Sequence, residues 1–324
     1  MKKFTGRFFG KREAGIFVAV IALLAVLTLL SPNFLTQSNI LNILVNNTPL
    51  AIMAVGMTMV LITGGIDVST ASQMMLSSMV VAYFVFSPVA NVFTVIVLAI
   101  ATGFATGAIN GSLIAVFNIP PLIITLGTSS AIRGLIMLIT DGKWVINLPD
   151  WFRAIGKPES GLPMTIIYAV LIFIIMSVVL RNTSFGRAIY AVGGNPEAAK
   201  RSGIIPGKII FWTYSCCGVL CGISGLLINT ILYNYQPTSG LGLEMSAIAA
   251  SVIGGANILG GSGTLIGTAF GVILMGVIEN GLVVAHVPTY YQKLVYGLII
   301  IVTISLDVLR KRRSEDTSNL VDVV

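Results

Sequence analysis

Between Gly15 and Leu309 the chain is dominated by apolar stretches that a soluble fold does not accommodate. Crossing a bilayer as a helix takes about 20 mainly apolar residues. Eight stretches stand out, roughly Gly15–Ser31, Pro49–Thr63, Val92–Phe117, Leu122–Thr140, Pro163–Leu180, Ile209–Leu232, Leu265–Ala285 and Tyr291–Leu309. Two weaker segments, near Ala71–Phe86 and Glu244–Gly254, read as short, tilted or re-entrant spans, and counting both gives ten. Composition agrees, because only 10% of the residues are charged and 56% are hydrophobic, whereas soluble domains carry about 25% charged residues. The expected fold is an all-α polytopic membrane protein, one transmembrane domain over residues 1–324.

The charges set the expected orientation. Met1–Arg12, Arg181–Lys208 and Arg310–Arg313 together hold fourteen of the nineteen Lys and Arg residues. Cations clustered beside apolar spans mark cytoplasmic segments, not a nucleic-acid surface. With ten spans, residues 1–14, the loop 181–208 and the tail 310–324 all fall on the cytoplasmic side. The loop Asp141–Leu162, with balanced charge and with Trp144, Trp151 and Phe152, falls outside. Eight spans keep the same sides if both weak segments turn back within one leaflet. The apolar run after the basic head continues to about Leu30 without a small-residue cleavage site, and so reads as a retained first span.

The two halves echo one another. Val60–Gly65 resembles Ser251–Gly255, and Gly107-Ala-Ile-Asn110-Gly111 resembles Gly276-Val-Ile-Glu279-Asn280-Gly281. Five plus five spans would form an inverted repeat, the arrangement in which transporters place solute routes at glycine-broken helices.

The longest polar interruption is Arg181–Lys208, with five cations against the single acid Glu197. Within it, Asn195-Pro196-Glu197-Ala198-Ala199 has an N-cap residue, a first-turn proline and an acid at the positive helix end. Gly203 is placed to end that helix. A capped helix on a basic loop suits a docking peg, and equally a solvated connector.

Chemistry-bearing residues are few. In Gly64-Gly65-Ile66-Asp67-Val68-Ser69 two glycines loosen a helix ahead of an acid and a hydroxyl at membrane depth. Asp67 there either serves transport or caps the next helix. From Gly254 to Thr264 five glycines (254, 255, 260, 261 and 263) surround Asn257. Such irregular backbone belongs in protein or along an aqueous cavity. No lysine follows in a phosphate-cradling G-x-x-x-x-G-K-[ST] pattern, so no nucleotide-hydrolysis site is expected. Asn110, Glu279 and Asn280, inside apolar spans, suit either a polyhydroxylated solute or helix–helix bonding. Glu244 is expected to cap a short span, and Arg133 to snorkel or pair within the bundle. Cys216, Cys217 and Cys221 read as small packing residues, since the only histidine, His286, gives no metal spacing. Nothing forms a nucleophile–base pair, so an enzyme is not expected.

Four segments, GMTMVLITGGIDVS, NGSLIAVFNIPPLIITLGT, FGRAIYAVGGNPEAAKRSGI and AIAASVIGGANILGGSGTLIGT, resemble the permease subunits of bacterial ribose-type ABC importers for ribose, xylose, arabinose, galactosides and related sugars. The resemblance runs from about Asn39 to Asp307. It implies a multi-pass permease of the bacterial inner membrane, paired with a second copy or a paralogue. It also implies a separate ATPase subunit with two cassettes that binds ATP and Mg, and a periplasmic or lipid-anchored sugar-binding protein. The chain itself would hold no cofactor. Glu197-Ala198-Ala199 and Gly203 are similar to the family's coupling element, which fits a cleft on the ATPase. Gly64, Gly65, Gly254, Gly255, Gly260 and Gly261 would break helices. Asp67, Ser69, Gln73, Asn110, Asn257, Glu279 and Asn280 become candidates for the translocation path. The chain departs from the family at Thr70-Ala71-Ser72-Gln73, where a glycine is usual; that change bears on the solute accepted. An ion-coupled secondary transporter using Asp67, Glu244 or Glu279 is the alternative, and a non-transporting assembly subunit a further one.

Overall fold

The computed structural model describes residues 11–31, 33–156 and 163–288, and residues 291, 294, 295, 297, 298 and 301. Regular structure among them is helical, apart from one antiparallel bridge between Val145 and Tyr235. Most of the expected Tyr291–Leu309 span, the basic tail and the first ten residues lie outside the described residues.

The first helices are α1 (Lys11–Leu30), α2 (Gln37–Asn46), α3 (Thr48–Ile62), α4 (Thr70–Phe84), α5 (Val92–Phe117) and α6 (Pro121–Thr140). After the four-residue α7 (Asp150–Arg153) come α8 (Met164–Asn182), α9 (Ser184–Gly194), α10 (Pro196–Arg201), α11 (Pro206–Leu232), α12 (Leu243–Ile253) and α13 (Leu265–Val284). Among the described residues, α5, α6, α8, α11 and α13 are long and apolar enough to cross a membrane, and a sixth span results if α2 and α3, bent by 44° at their junction, count as one. The expected ten segments coincide with helices wherever residues are described, but α4 (15 residues) and α12 (11 residues) are shorter than a bilayer requires alone.

α3 explains how short helices are tolerated. It is apolar on every side, and every residue from Thr48 to Ile62 except Ala51 is buried; such a helix belongs inside protein. α8, α11, α12 and α13 surround it. α5 and α11 form the most extensive helix pair, and glycines let them touch. Gly103, Gly107 and Gly111, four residues apart, face Gly218, Gly222 and Phe211, and a methyl on Gly107 would stand 3.0 Å from Gly218 Cα. This is small-residue packing of the kind that joins helices in lipid. Gly56 of α3 likewise admits Cys217 of α11, so that cysteine packs as expected; all three cysteines are free.

Contacts fix the helix directions. α5 runs antiparallel to α11, since Gly103 meets Gly222 and Gly111 meets Phe211. α3 is also antiparallel to α11, with Ser224 Oγ donating to Pro49 O at 2.8 Å and Gly56 against Cys217. α12 is antiparallel to α13, with Ala250 beside Gly271 and Gly254 beside Gly267. α1 runs with α13, through Phe17 on Phe270 and Leu27 on Gly281. As a result the start of α1, the end of α3, the end of α12 and the α9–α10 segment share one end of the bundle. The opposite end carries the Val145–Tyr235 bridge and α7, where Arg153 lies 4.3 Å from the centre of the Tyr233 ring.

These directions correct one expected pairing of the halves. α3 and α12 run in parallel: Ser251 Oγ donates to Ala54 O at 3.2 Å, and the turn beyond Gly255 meets Ile62. Val60–Gly65 and Ser251–Gly255 therefore are not inversion partners, because inversion would send them to opposite ends. Their likeness is local. Each helix closes on a left-handed glycine, Gly64 (φ 83°) or Gly255 (φ 99°). Gly65 N–H donates to Val60 O at 3.1 Å, and Ala256 N–H donates to Ser251 O at 3.0 Å. Both are the same glycine C-cap. The second pairing, Gly107–Gly111 on α5 with Gly276–Gly281 on α13, joins helices of opposite direction.

Candidate functional site

Within Arg181–Lys208 the expected capped helix forms as α10, and α9, which was not expected, precedes it. Thr183 caps α9, its Oγ1 accepting from Gly186 N at 3.1 Å. The inward face of α9 buries Ala188, Ile189 and Val192. Asn195 Oδ1 accepts from Ala198 N at 3.0 Å, Pro196 opens α10, and Glu197 occupies its first turn. Gly203 (φ 83°) closes it, with Ile204 N–H donating to Ala199 O at 3.0 Å. Asn195, Pro196, Glu197, Ala198 and Gly203 are exposed, whereas Ala199 is buried and anchors the helix. The peg is thus a rigid, six-residue helix with its acid facing outward.

Four expected path residues converge some distance inside the same end. Asp67, Ser69, Gln73 and Asn110 are each wholly buried. Asp67 Oδ1 accepts from both the backbone N–H and the hydroxyl of Ser69. Gln73 Nε2 donates to Asp67 Oδ2 at 3.0 Å and to Ser69 Oγ at 2.7 Å. Asn110 Nδ2 donates to Ser69 Oγ at 2.8 Å, and Thr106 Oγ1 donates to Gln73 Oε1 at 3.1 Å. The knot ties the turn after α3 to α4 and α5, and three accepted hydrogen bonds offset part of the cost of burying the carboxyl. Asp67 is therefore more than a helix cap at a lipid boundary. In this conformation the knot is sealed.

The remaining candidates lie apart from it. Asn257 serves its own glycine loop, its Oδ1 accepting from Leu259 N at 3.1 Å and its Nδ2 donating to Gly260 O at 3.0 Å. Asn280 exchanges two 2.8 Å amide bonds with Asn39, joining α13 to α2. Glu279 lies on the exposed side of α13. Arg133 of α6 pairs with Glu244 of α12 at 2.8 Å, and Glu244 also accepts from Gly242 N at 3.2 Å. Both expectations for this acid and this base hold together: Glu244 caps its helix while neutralising Arg133. Of the helix-breaking glycines, Gly65 and Gly254 serve close approach, Gly65 to the Tyr214 hydroxyl and Gly254 to Gly267. Gly260 and Gly261 meet the end of α9, and Gly64 meets Leu259 and Gly260. Among the described residues no group of three His, Cys, Asp or Glu is placed to hold a metal ion.

Sequence reasoning missed the partners of these groups. Thr106 and Tyr214 carry no motif, and the hydroxyl cluster Thr58–Ser251–Thr268 joins three helices that are far apart in the chain. The glycine stripe of α5 had a legible signal, namely glycines at 103, 107 and 111.

A family model described as the permease component of a branched-chain amino acid transport system matches residues 39–304. The chain belongs to this permease family. Similar proteins include the ribose import permease protein of Escherichia coli (strain K12), 38% identical over 311 residues, 93% of this chain and 96% of that protein. The ribose import permease protein of Bacillus subtilis (strain 168) is 38% identical over 299 residues, 91% of this permease and 92% of its own length. The D-allose transport system permease protein of Escherichia coli (strain K12) is 33% identical over 295 residues, 90% of each chain. No solved structure matches this permease.

Proposed function

We propose that this permease forms, with a second copy or a close paralogue, the translocation path of an ABC importer for a monosaccharide or a similar small polyhydroxylated solute. The observation that carries the reading is α10, a doubly capped and exposed helix on a basic segment, in a chain matched along nearly its whole length by sugar permeases. ATP is hydrolysed by a separate subunit with two cassettes, and a periplasmic or lipid-anchored binding protein delivers the solute. Ten spans fit this reading if α1, the bent pair α2–α3, α4, α5, α6, α8, α11, α12 and α13 are joined by the expected span Tyr291–Leu309, most of which lies outside the described residues. The cations of Arg181–Lys208 then put α10 and the start of α1 on the cytoplasmic side of a bacterial inner membrane. The opposed directions of α5 and α13 suit an inverted relation between the halves.

Asn195, Pro196, Glu197, Ala198, Ala199 and Gly203 form the docking peg. Closure of the ATPase cassettes draws the two pegs together, and rigid-body movement of the spans opens the cavity alternately to each side. The knot of Asp67, Ser69, Gln73 and Asn110 holds α4 and α5 in step during that movement.

The test is purification of the permease from native membranes with mass spectrometry of its companions, repeated with Glu197→Arg. An ATPase with duplicated cassettes and a sugar-binding protein are expected with the native chain, and loss of the ATPase with the variant. Normal uptake and binding-protein-stimulated ATP hydrolysis in Glu197→Arg would refute the docking role. Uptake by the permease alone under an ion gradient would favour the ion-coupled carrier.

A further inference from the structure

The exposed peg reaches the rest of the molecule through α9, and α9 ends in an unusual seat. A methyl at Gly193 would overlap the Ile62 carbonyl and stand 2.8 Å from Gly261 N. A methyl at Gly260 would stand 2.7 Å from Gly193 O and 2.9 Å from Gly64 N. Gly261 N–H donates to Ile62 O at 2.9 Å. One turn earlier on α9, the Tyr190 hydroxyl donates to Gly263 O at 2.8 Å. Burial pushes the Tyr190 phenol above its ordinary value, so it remains a neutral donor. Three segments distant in sequence thus meet backbone to backbone: the end of α9, the turn after α3 and the glycine loop after α12.

We infer that Tyr190 and Gly193 are positioning residues for coupling, and that the two glycine-rich turns receive the ATPase stroke instead of lining the solute route. This rests on the reading of α10 as the docking peg. Only Asn195 separates α9 from α10, and Asn195 N–H bonds back to Ala191 O at 3.1 Å. The two helices therefore move together. Side chains between packed elements can absorb a displacement by changing rotamer, whereas backbone in direct contact cannot. A push on α10 consequently reaches both turns. The first turn leads into the buried Asp67 knot and hence α4 and α5. The second leads directly into α13, whose N-cap Thr264 follows Gly263.

The experiment uses the full permease assembled with its ATPase subunit in lipid nanodiscs, as wild type, Tyr190→Phe and Gly193→Ala. Hydrogen exchange is compared without nucleotide and with a non-hydrolysable ATP analogue and Mg²⁺. In the wild type, exchange is expected to change in α10 and in residues 62–69 and 255–264. In Tyr190→Phe, which removes one oxygen, the ATPase stays bound and α10 and residues 62–69 still respond through the unchanged Gly193 contact, while the response of the glycine loop, no longer tied to α9 at Gly263, falls more than two-fold. Gly193→Ala is expected to lose the response in both turns. Should Gly193→Ala not fold, Tyr190→Phe decides alone. A response of both turns within two-fold of wild type in Tyr190→Phe, or a wild type in which α10 responds and the turns do not, would overturn the inference. A wild-type permease that binds no ATPase would instead overturn the docking reading beneath it.

Discussion

Replacing Gly107 by alanine tests whether α5 and α11 meet backbone to backbone. The added methyl would overlap the Tyr214 carbonyl and stand 3.0 Å from Gly218 Cα and 3.1 Å from Ser215 Cα. All three are main-chain atoms of α11, so no rotamer change relieves the contact. Ordinary carbon contacts lie at about 3.5–4.0 Å, and opening the interface by about 0.5–1 Å forfeits a quarter to a half of the attraction between facing atoms. Overpacking of this kind costs about 1–3 kcal/mol. Alanine regains about 0.8–1 kcal/mol of helix propensity, which leaves a net loss at all but the smallest overpacking cost. Gly127 and Gly134 of α6 provide the control, because a methyl at either meets nothing within 4 Å. There only the propensity gain remains, and the sign reverses. Thermal unfolding of the purified permease in detergent reads the difference. Gly107→Ala is expected to melt about 2–6 °C below wild type, and Gly134→Ala at or above it. A Gly107→Ala midpoint equal to that of Gly134→Ala would refute the close packing of α5 on α11.

Other substitutions probe the buried polar groups. Arg133→Gln leaves Glu244, whose side chain is only 10% exposed, without its cation, and about 1.5–3 kcal/mol of stability should be lost; adding Glu244→Gln should restore at least half, read as a double-mutant cycle of melting midpoints. Asn39→Ala removes both amide bonds to Asn280 and should cost about 0.5–1.5 kcal/mol, measured by the same melt. Gln73→Leu takes the donor from Asp67 Oδ2 and Ser69 Oγ, and a loss of about 1–3 kcal/mol is expected. Because Gln73 is wholly buried, its replacement should lower the yield of folded permease without changing the ranking of competing sugars in an uptake assay.

Local features of this permease could be read from the chain because their causes are local. Apolar stretches report helices wherever lipid or protein surrounds them, and the peg at Asn195–Gly203 is specified by its own capping residues. The glycine C-caps at Gly64 and Gly255 follow from the conformational freedom of that residue. Their pairing misled: identical C-caps produce similar sequences whichever way a helix points, so Val60–Gly65 and Ser251–Gly255 looked like inverted halves although α3 and α12 run in parallel. Asp67 bonds to its near neighbours Ser69 and Gln73, but what closes over that local group was hidden. Nothing near residue 67 names Thr106 or Asn110, which come from another helix, and nothing near Glu244 names Arg133.

The sequence by itself determined that this protein is helical, where its long apolar helices lie, and that a capped helix on a basic segment interrupts them, since each depends on residues close together in the chain; the shorter α2, α7 and α9 were not legible. Only the tertiary structure decided that Asp67 lies in a sealed knot, that α5 and α11 touch through glycines, and that the base of the peg sits on both glycine-rich turns. Those facts depend on groups that meet from helices far apart in the chain, 41 residues for Asn110 on Ser69 and 73 for Tyr190 on Gly263, distances at which spacing along the chain carries no information.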